Sequence, residues 1–345
     1  MQDVNVGDGV TVLTGHNAQG KSNFLESIYM VAVGRSPRAG SDVEVIRFGE
    51  DRMYLRGGVR GTRTHVLEVA VDRESGEKRI KVNGVPAQRG HLLGRLVVVL
   101  AGPLDDEVVR GAPAYRRRVL DAALSQVSPS YYFALVRYVR VIRQRNRLLR
   151  EGAPERALAP WDEQLVDLGA ALIDRRRRFA GALSARAAVR HARIAPGERL
   201  EVAYMCAAGE GDERDALRRA VGARRAEELH RGRSLVGPHR DDLRLAVEGT
   251  DLKSFGSRGQ QRTAALSLRL AEADLLREEL GEWPVLLLDD VLADLDPARQ
   301  AFLLREVAGP QVFITHTVRP ASLDVSVKVL AVRAGTIAEE PGVRA

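Results

Sequence analysis

What most constrains this chain is one run near its start, Gly15-His16-Asn17-Ala18-Gln19-Gly20-Lys21-Ser22, which fits the spacing G-x-x-x-x-G-K-[ST]. Each fixed position has a physical reason. Gly15 and Gly20 permit backbone angles that a Cβ forbids. The loop can then turn its N–H groups inward at a helix N-terminus, where the dipole favours an anion. Lys21 supplies a point charge for the β- and γ-phosphates of ATP, and the Ser22 hydroxyl suits Mg²⁺. Both flanks agree with a strand–loop–helix unit. Val10–Thr14 is a short apolar run, and Ser22–Val33 places Phe24, Leu25, Ile28 and Val31 at helical spacing.

A second run lies far along the chain. Pro284-Val285-Leu286-Leu287-Leu288-Asp289-Asp290 is an apolar stretch that ends in two acids. A strand buried on both faces reads this way, and ligands of doubly wound sheets sit at the carboxyl ends of the strands. Asp289 is expected in the Mg²⁺ shell and Asp290 beside the attacking water as general base. Lys21, Asp290 and His316, which ends an expected strand Gln311–Thr315, form the candidate catalytic set. Between the two runs, Ser257-Arg258-Gly259-Gln260-Gln261-Arg262 opens an expected helix over Gly259–Glu279, where Ser257 can cap and the first N–H groups can grip a phosphate. A plain helix cap accounts for the same residues.

The texture of the chain divides it. The first hundred residues alternate like strands, over Met53–Val59, Thr64–Val71, Arg79–Val82 and Leu96–Leu100, with Asn83-Gly84 signalling a tight hairpin. Residues 106–235 read as mostly helical and Arg-rich, over Pro113–Gln126, Pro129–Arg150, Asp162–Arg193 and Asp212–Arg233, with Gly152–Pro160 as a break. Leu200–Tyr204 is a candidate strand. Strands Val285–Leu288 and Val325–Val332 and a helix Pro297–Val307 complete the α/β pattern. The expected fold class is α/β, with residues 1–105 and 236–345 forming one ATP-binding lobe and 106–235 a helical second lobe.

Composition narrows the partners. The net charge is +7, and of 53 basic residues only Lys21, Lys78, Lys81, Lys253 and Lys328 are lysine. Arginine grips phosphate in a bidentate fork, although a GC-rich genome or a heat-adapted host yields the same bias. Arg116, Arg117 and Arg118, and the helical face of Arg140, Arg143 and Arg147, are candidate contacts to DNA backbone, with Arg137 and Arg175–Arg178 nearby. A solvated face with acidic partners is the competing reading. The single cysteine, Cys206, excludes an intramolecular disulfide, reads as a small core residue and fits a reducing cytoplasm. No run reaches the ~20 apolar residues of a membrane helix.

The order of these motifs resembles ABC-type ATPases, and the S-x-G-Q-Q form at Ser257–Gln261 resembles the signature of the RecF family and of SMC-like heads. Asp294-Leu295-Asp296 resembles their D-loop, and His316 stands where that class has its switch residue. Three further segments are similar to RecF proteins: Val236-Gly237-Pro238-His239-Arg240-Asp241-Asp242-Leu243; Val109–Pro113 with Arg116–Arg118 and Leu120-Asp121; and Asn23–Tyr29. The resemblance implies an ABC/SMC-like head that binds ATP and Mg²⁺ and closes as a homodimer. The signature residues Ser257, Arg258, Gly259, Gln260 and Gln261 would then act on the partner's nucleotide. It also implies a cytoplasmic repair protein that binds duplex DNA or its junction with single strand, and acts with RecO and RecR to load RecA. Asp290 stands where many relatives have Glu, which predicts slow hydrolysis. RecF proteins usually begin with an aromatic-Arg-Asn strand, and this sequence starts after it, so either its start is placed late or the sheet lacks an edge strand; the D-loop opens Ala293-Asp294 in place of Ser-Glu, and the Q-loop is expected near Ala101–Asp106. A transporter subunit would carry the longer L-S-G-G-Q signature, and a full SMC protein would carry long heptad arms. A scaffold that binds ATP without useful hydrolysis is the rival of a different class.

Overall fold

The computed structural model describes residues 2–209, 211–293, 297–307, 309–318 and 327–340. In chain order the elements run β1 Val10–Thr14, α1 Lys21–Val33, β2 Arg52–Val59, β3 His65–Asp72, β4 Lys78–Val82, β5 Val85–Ala87, α2 Arg89–Leu92 and β6 Val98–Ala101. There follow α3 Asp106–Val109, α4 Pro113–Val127, α5 Pro129–Arg150, α6 Glu155–Ile194, β7 Leu200–Met205, α7 Glu213–Ala223 and α8 Arg225–Arg231. The chain closes with β8 Asp242–Val247, β9 Thr250–Asp251, α9 Leu252–Phe255, α10 Arg258–Leu280, β10 Val285–Asp289, α11 Pro297–Glu306, β11 Val312–Thr315, β12 Lys328–Arg333 and β13 Thr336–Glu339.

Two compact units result: residues 1–105 with 272–345, and residues 106–271. The first is built on a six-stranded sheet in the order β13-β12-β1-β11-β10-β6. Its strands pair in parallel except for the β12–β13 hairpin. The apolar runs of β1, β10 and β11 are buried along nearly their whole length, as central strands covered on both faces must be. A second, antiparallel sheet β2-β3-β4-β5 alternates in burial, and Met53, Leu55, Leu67, Val69 and Ile80 pack together with Val31 of α1. Asn83 and Gly84 both take positive φ, 53° and 78°, as a two-residue hairpin of this twist requires.

The second unit is helical around the sheet β7-β8-β9. Residues 236–271, which the sequence groups with the nucleotide lobe, cluster here. The reason is that β8 pairs antiparallel along β7, and Arg116 of α4 reaches Asp242 at its start. Two helical expectations differ in detail. Asp212–Arg233 is two helices that meet at Arg224. The long helix α6 begins at Glu155 and contains Pro160, which cannot donate to the Arg156 carbonyl. Among the described residues no helix is long and apolar enough to cross a membrane.

Arginine holds the interior of this unit. Arg145 is fully buried; it donates to Asp162 at 2.7 Å, Ser234 Oγ at 2.7 Å and Glu228 at 2.5 Å. Burial works against its charge, but the Glu228 and Asp162 hydrogen bonds outweigh it and raise its pKa. Arg176 Nη2 donates to both carboxylate oxygens of Asp121, at 2.7 and 2.9 Å, and Nη1 donates to the Pro238 carbonyl at 2.6 Å. Tyr138 shares a 2.7 Å hydrogen bond with His239, which burial pushes down to about 4. Tyr204 donates to Asp241, and burial pushes that carboxyl up. The segment Val236–Leu243 is thus threaded through a buried polar layer, where each group is costly unless partnered.

Candidate functional site

The phosphate loop joins the end of β1 to α1 in the first unit. Gly15 has φ 144° and Gly20 has φ 105°. A Cβ on Gly15 would run into the Val332 carbonyl of β12, so this position needs glycine on two counts. Ala18 also turns to positive φ, 62°, at the exposed tip formed by His16, Asn17 and Ala18. Gln19 fixes the far side of the loop: its side-chain carbonyl accepts from Ala334 N at 2.6 Å and its main-chain carbonyl accepts from Gly335 N at 2.9 Å. Lys21 is 8% exposed and its Nζ lies across the loop, donating to the carbonyls of Gly15 at 2.6 Å and His16 at 2.9 Å.

The structure brings Ser22 and Asp289 together across the sequence. Ser22 Oγ donates to Asp289 Oδ1 at 2.7 Å. Asp289 is 4% exposed at the end of β10, and Thr315 of β11 also donates to Oδ1, at 2.8 Å. Arg38 binds the other oxygen, Oδ2, at 2.7 Å. Asp290 lies outside this cluster, exposed, with φ 56° and its N–H on Thr315 Oγ1 at 2.8 Å. Aspartate tolerates that left-handed geometry better than most residues. The two acids therefore separate into a buried, hydrogen-bonded carboxylate and an exposed one.

The donor set fits a nucleotide and a hard cation. A helix N-terminus, a loop with glycine at both ends, a lysine, a hydroxyl and one buried carboxylate match how Mg²⁺ is held jointly by protein oxygens and phosphates. Among the described residues no group of three or more His, Cys, Asp and Glu could cage a metal without such phosphates.

His316 follows β11, with its N–H on the Leu13 carbonyl at 3.0 Å and its Nδ1 beside the Val318 carbonyl at 2.8 Å. Asp294 and Asp296 lie outside the described residues. In the second unit, Ser257 caps α10, with Arg258 and Gly259 exposed at the helix tip. Gln260 and Gln261 turn inward instead, and Gln261 donates to the Leu252 carbonyl at 2.8 Å.

The candidate DNA contacts do not share one environment. Arg116 is 4% exposed, with both ends on Asp242 at 2.6 and 2.8 Å and NH1 on the Gly111 carbonyl at 3.1 Å. It is a structural tie, because its donors are already engaged inside the unit. Arg117 is half-buried and donates to the Asp241 carbonyl at 2.6 Å, with burial pulling its pKa down. Arg176, within the Arg175–Arg178 run, is likewise buried. Arg118, Arg140, Arg143 and Arg147 are exposed, with Arg147 paired to Glu151 at 2.8 Å.

Arg38, Thr315 and Gly102 belong to the site, and the sequence singles out none of them for it. Thr315 reaches Asp289 only because β11 is the neighbour of β10, in register. Gly102, after β6, leaves room for the acid: a Cβ there would meet Asp289 Cβ and its carbonyl oxygen at 2.9 Å. No local pattern marks Arg38.

A strand-fed phosphate loop, with a buried aspartate at the end of a strand two places away in the same parallel sheet, defines a P-loop ATPase head of the ABC/SMC type. A RecF DNA replication and repair protein of Symbiobacterium thermophilum is 42% identical over 348 residues, covering 95% of this chain and 92% of the relative. Its counterpart from Alkaliphilus oremlandii is 40% identical over 326 residues, covering 92% and 89%. The chain belongs to the RecF family of DNA replication and repair proteins.

Solved structures agree. The recombination mediator protein RecF-ATP of the RecFOR pathway superposes with a TM-score of 0.92 at 34% identity, over 99% of this chain and 94% of the other. An Smc head bound to the C-terminal winged-helix domain of ScpA gives a TM-score of 0.55 at 18% identity, a likeness of fold. No family model matches the chain.

Proposed function

We propose that this protein is an ATP-switched, weakly hydrolysing homodimer that binds DNA in recombinational repair and at replication gaps, working with RecO and RecR to load RecA. The observation that carries the reading is the 2.7 Å contact of Ser22 with Asp289, two residues separated by most of the chain. Such a pair beside a phosphate loop has one well-founded use, the Mg²⁺–triphosphate shell. The RecF-ATP structure supports the nucleotide, and the family supports DNA as the partner.

The residues divide the work. Loop N–H groups from Gly15 to Ser22 orient the phosphates, with Lys21 turning its charge from loop carbonyls toward them. Ser22 and Asp289 would hold Mg²⁺, which neutralises charge on the phosphate oxygens when bound. Asp290 orients the attacking water and takes its proton. Ser257, Arg258 and Gly259 present a helix N-terminus to the partner's nucleotide, with His316 at the γ-phosphate end. One phosphate loop and one signature per chain call for a two-fold dimer with two shared sites. The differential grip on ATP drives closure.

Two outcomes are expected. Asp290→Asn retains ATP binding, stalls turnover and accumulates dimer, read by size analysis with ATP, with ADP and without nucleotide. A protein that stays monomeric in saturating Mg-ATP with Asp290 disabled excludes the reading. The wild-type turnover is slow, since a shorter acid reaches the water less well; a kcat above about 10 s⁻¹, the general enzyme median, would contradict it.

DNA binding through exposed Arg118, Arg140, Arg143 and Arg147 to backbone phosphates is expected to be sequence-independent and strongly salt-dependent. If two of them bind phosphate, replacing both flattens the slope of log K against log salt by roughly 1.8. Arg116→Ala is not a clean test, since it breaks a buried ion pair. Equal affinity at low and high salt rules out the backbone mode.

A further inference from the structure

The signature helix tip is held from behind by Glu198 and His191, two side chains to which no role has been assigned. Ser257 and Gln260 form a reciprocal capping box: Gln260 N donates to Ser257 Oγ at 3.2 Å, and Ser257 N donates to Gln260 Oε1 at 3.1 Å. This leaves the Gln260 amide nitrogen, which donates to Glu198 Oε1 at 3.1 Å. The other oxygen of Glu198 faces His191 Nε2 at 3.3 Å. His191 has no exposed surface, and its Nδ1 is 3.2 Å from Ser267 Oγ on α10 itself. Ser267 in turn gives its proton to the Thr263 carbonyl at 2.7 Å.

We propose that Glu198, backed by His191, is a positioning residue for the signature. It sets the rotamer of Gln260, which sets Ser257 and thereby the direction of the exposed N–H groups of Arg258 and Gly259. A helix tip that must meet a phosphate on another chain cannot be left to a flexible amide, because a misplacement of about 1 Å costs on the order of a hundredfold. The glutamine at this point in the motif therefore acts inward, on its own chain, and not on the nucleotide. The same contacts tie the last turn of α6, the long Arg-bearing helix, to the start of α10. All these residues belong to the second unit.

The inference rests on the ATP-bridged dimer proposed above, and the two can fail separately. Full-length protein carrying Asp290→Asn, to hold ATP, is compared with the same protein also carrying Ser257→Ala, Glu198→Ala, Glu198→Gln or Gln260→Ala. Dimerisation in Mg-ATP and nucleotide affinity of the dilute monomer are both measured. Glu198→Ala is expected to weaken ATP-dependent dimerisation about tenfold, the size of one lost charged hydrogen bond. Monomer affinity for ATP should not change, since the phosphate loop is untouched. Glu198→Gln, which keeps an acceptor for Gln260, should recover most of the loss. Gln260→Ala, which also removes the acceptor for Ser257 N, should weaken the dimer at least as much as Glu198→Ala, and adding Glu198→Ala to it should cost nothing further. If Ser257→Ala weakens the dimer and neither Glu198→Ala nor Gln260→Ala does, the positioning role is wrong. If Ser257→Ala has no effect either, the shared-nucleotide dimer itself is wrong. A simple folding defect is separated by monomer ATP affinity, which it would lower along with dimerisation.

Discussion

Lys21→Ala is expected to abolish useful nucleotide binding, lowering affinity for ATP by about a hundredfold or more while the fold survives. Lys21 already sits in the loop, 2.6 Å from one carbonyl and 2.9 Å from the next. Its removal deletes the only side-chain cation in the G-x-x-x-x-G-K-S run that a triphosphate can recruit. A charged hydrogen bond contributes about 1.5–3 kcal/mol, and Lys21 is positioned to make two to phosphate oxygens. The loop geometry itself depends on Gly15, Gly20 and the Gln19 contacts to the β12–β13 turn, which stay. Titration with a fluorescent ATP analogue, with circular dichroism as the folding control, reads the effect. Affinity within about threefold of wild type would mean the loop is not a triphosphate cradle.

Arg145→Ala is expected to destabilise the protein by about 3–5 kcal/mol, far more than a typical surface arginine. It would leave Glu228 with no exposure and without its charged partner, and Asp162 with one guanidinium in place of two. Glu228 also holds Leu235 N at 2.8 Å, and Ser234 is bound to Asn146 at 2.7 Å, so the defect reaches the loop that leads into Val236–Leu243. Arg143→Ala, two residues away and exposed, is the control and should stay within about 0.5 kcal/mol. Urea unfolding followed by circular dichroism compares them. Equal midpoints for the two variants would show that the buried cluster contributes little.

That contrast also explains how far the sequence could be read. The phosphate loop, the strand ending in Asp289 and Asp290, and the helical tract after Gly102 were legible, because each is a local pattern with a local cause. Glycine spacing, an unbroken apolar run and 3.6-residue periodicity need no knowledge of neighbours. Arginine has no such mark. Arg143 and Arg145 are two positions apart on one helix; one meets water and the other is tied to side chains from α6, α8 and the loop after it. The partners come from far along the chain, so periodicity of the polar residues alone cannot separate tie from contact. The same limit hid Thr315 and Arg38, whose place beside Asp289 depends on strand order and on a loop path. Pro160 misled in the opposite direction, since a proline normally ends a helix and here α6 continues through it.

The neighbours of Asp289 carry one more consequence. Ser22, Arg38 and Thr315 converge on a single carboxylate from three distant stretches of chain. A denatured polypeptide holds no trace of that meeting point, so whatever is gripped there belongs to the native form alone. Nucleotide bound there would be a thermodynamic clamp: at a hundred times its dissociation constant it adds about 2.7 kcal/mol to native stability, so the protein deprived of it would be the easier form to unfold.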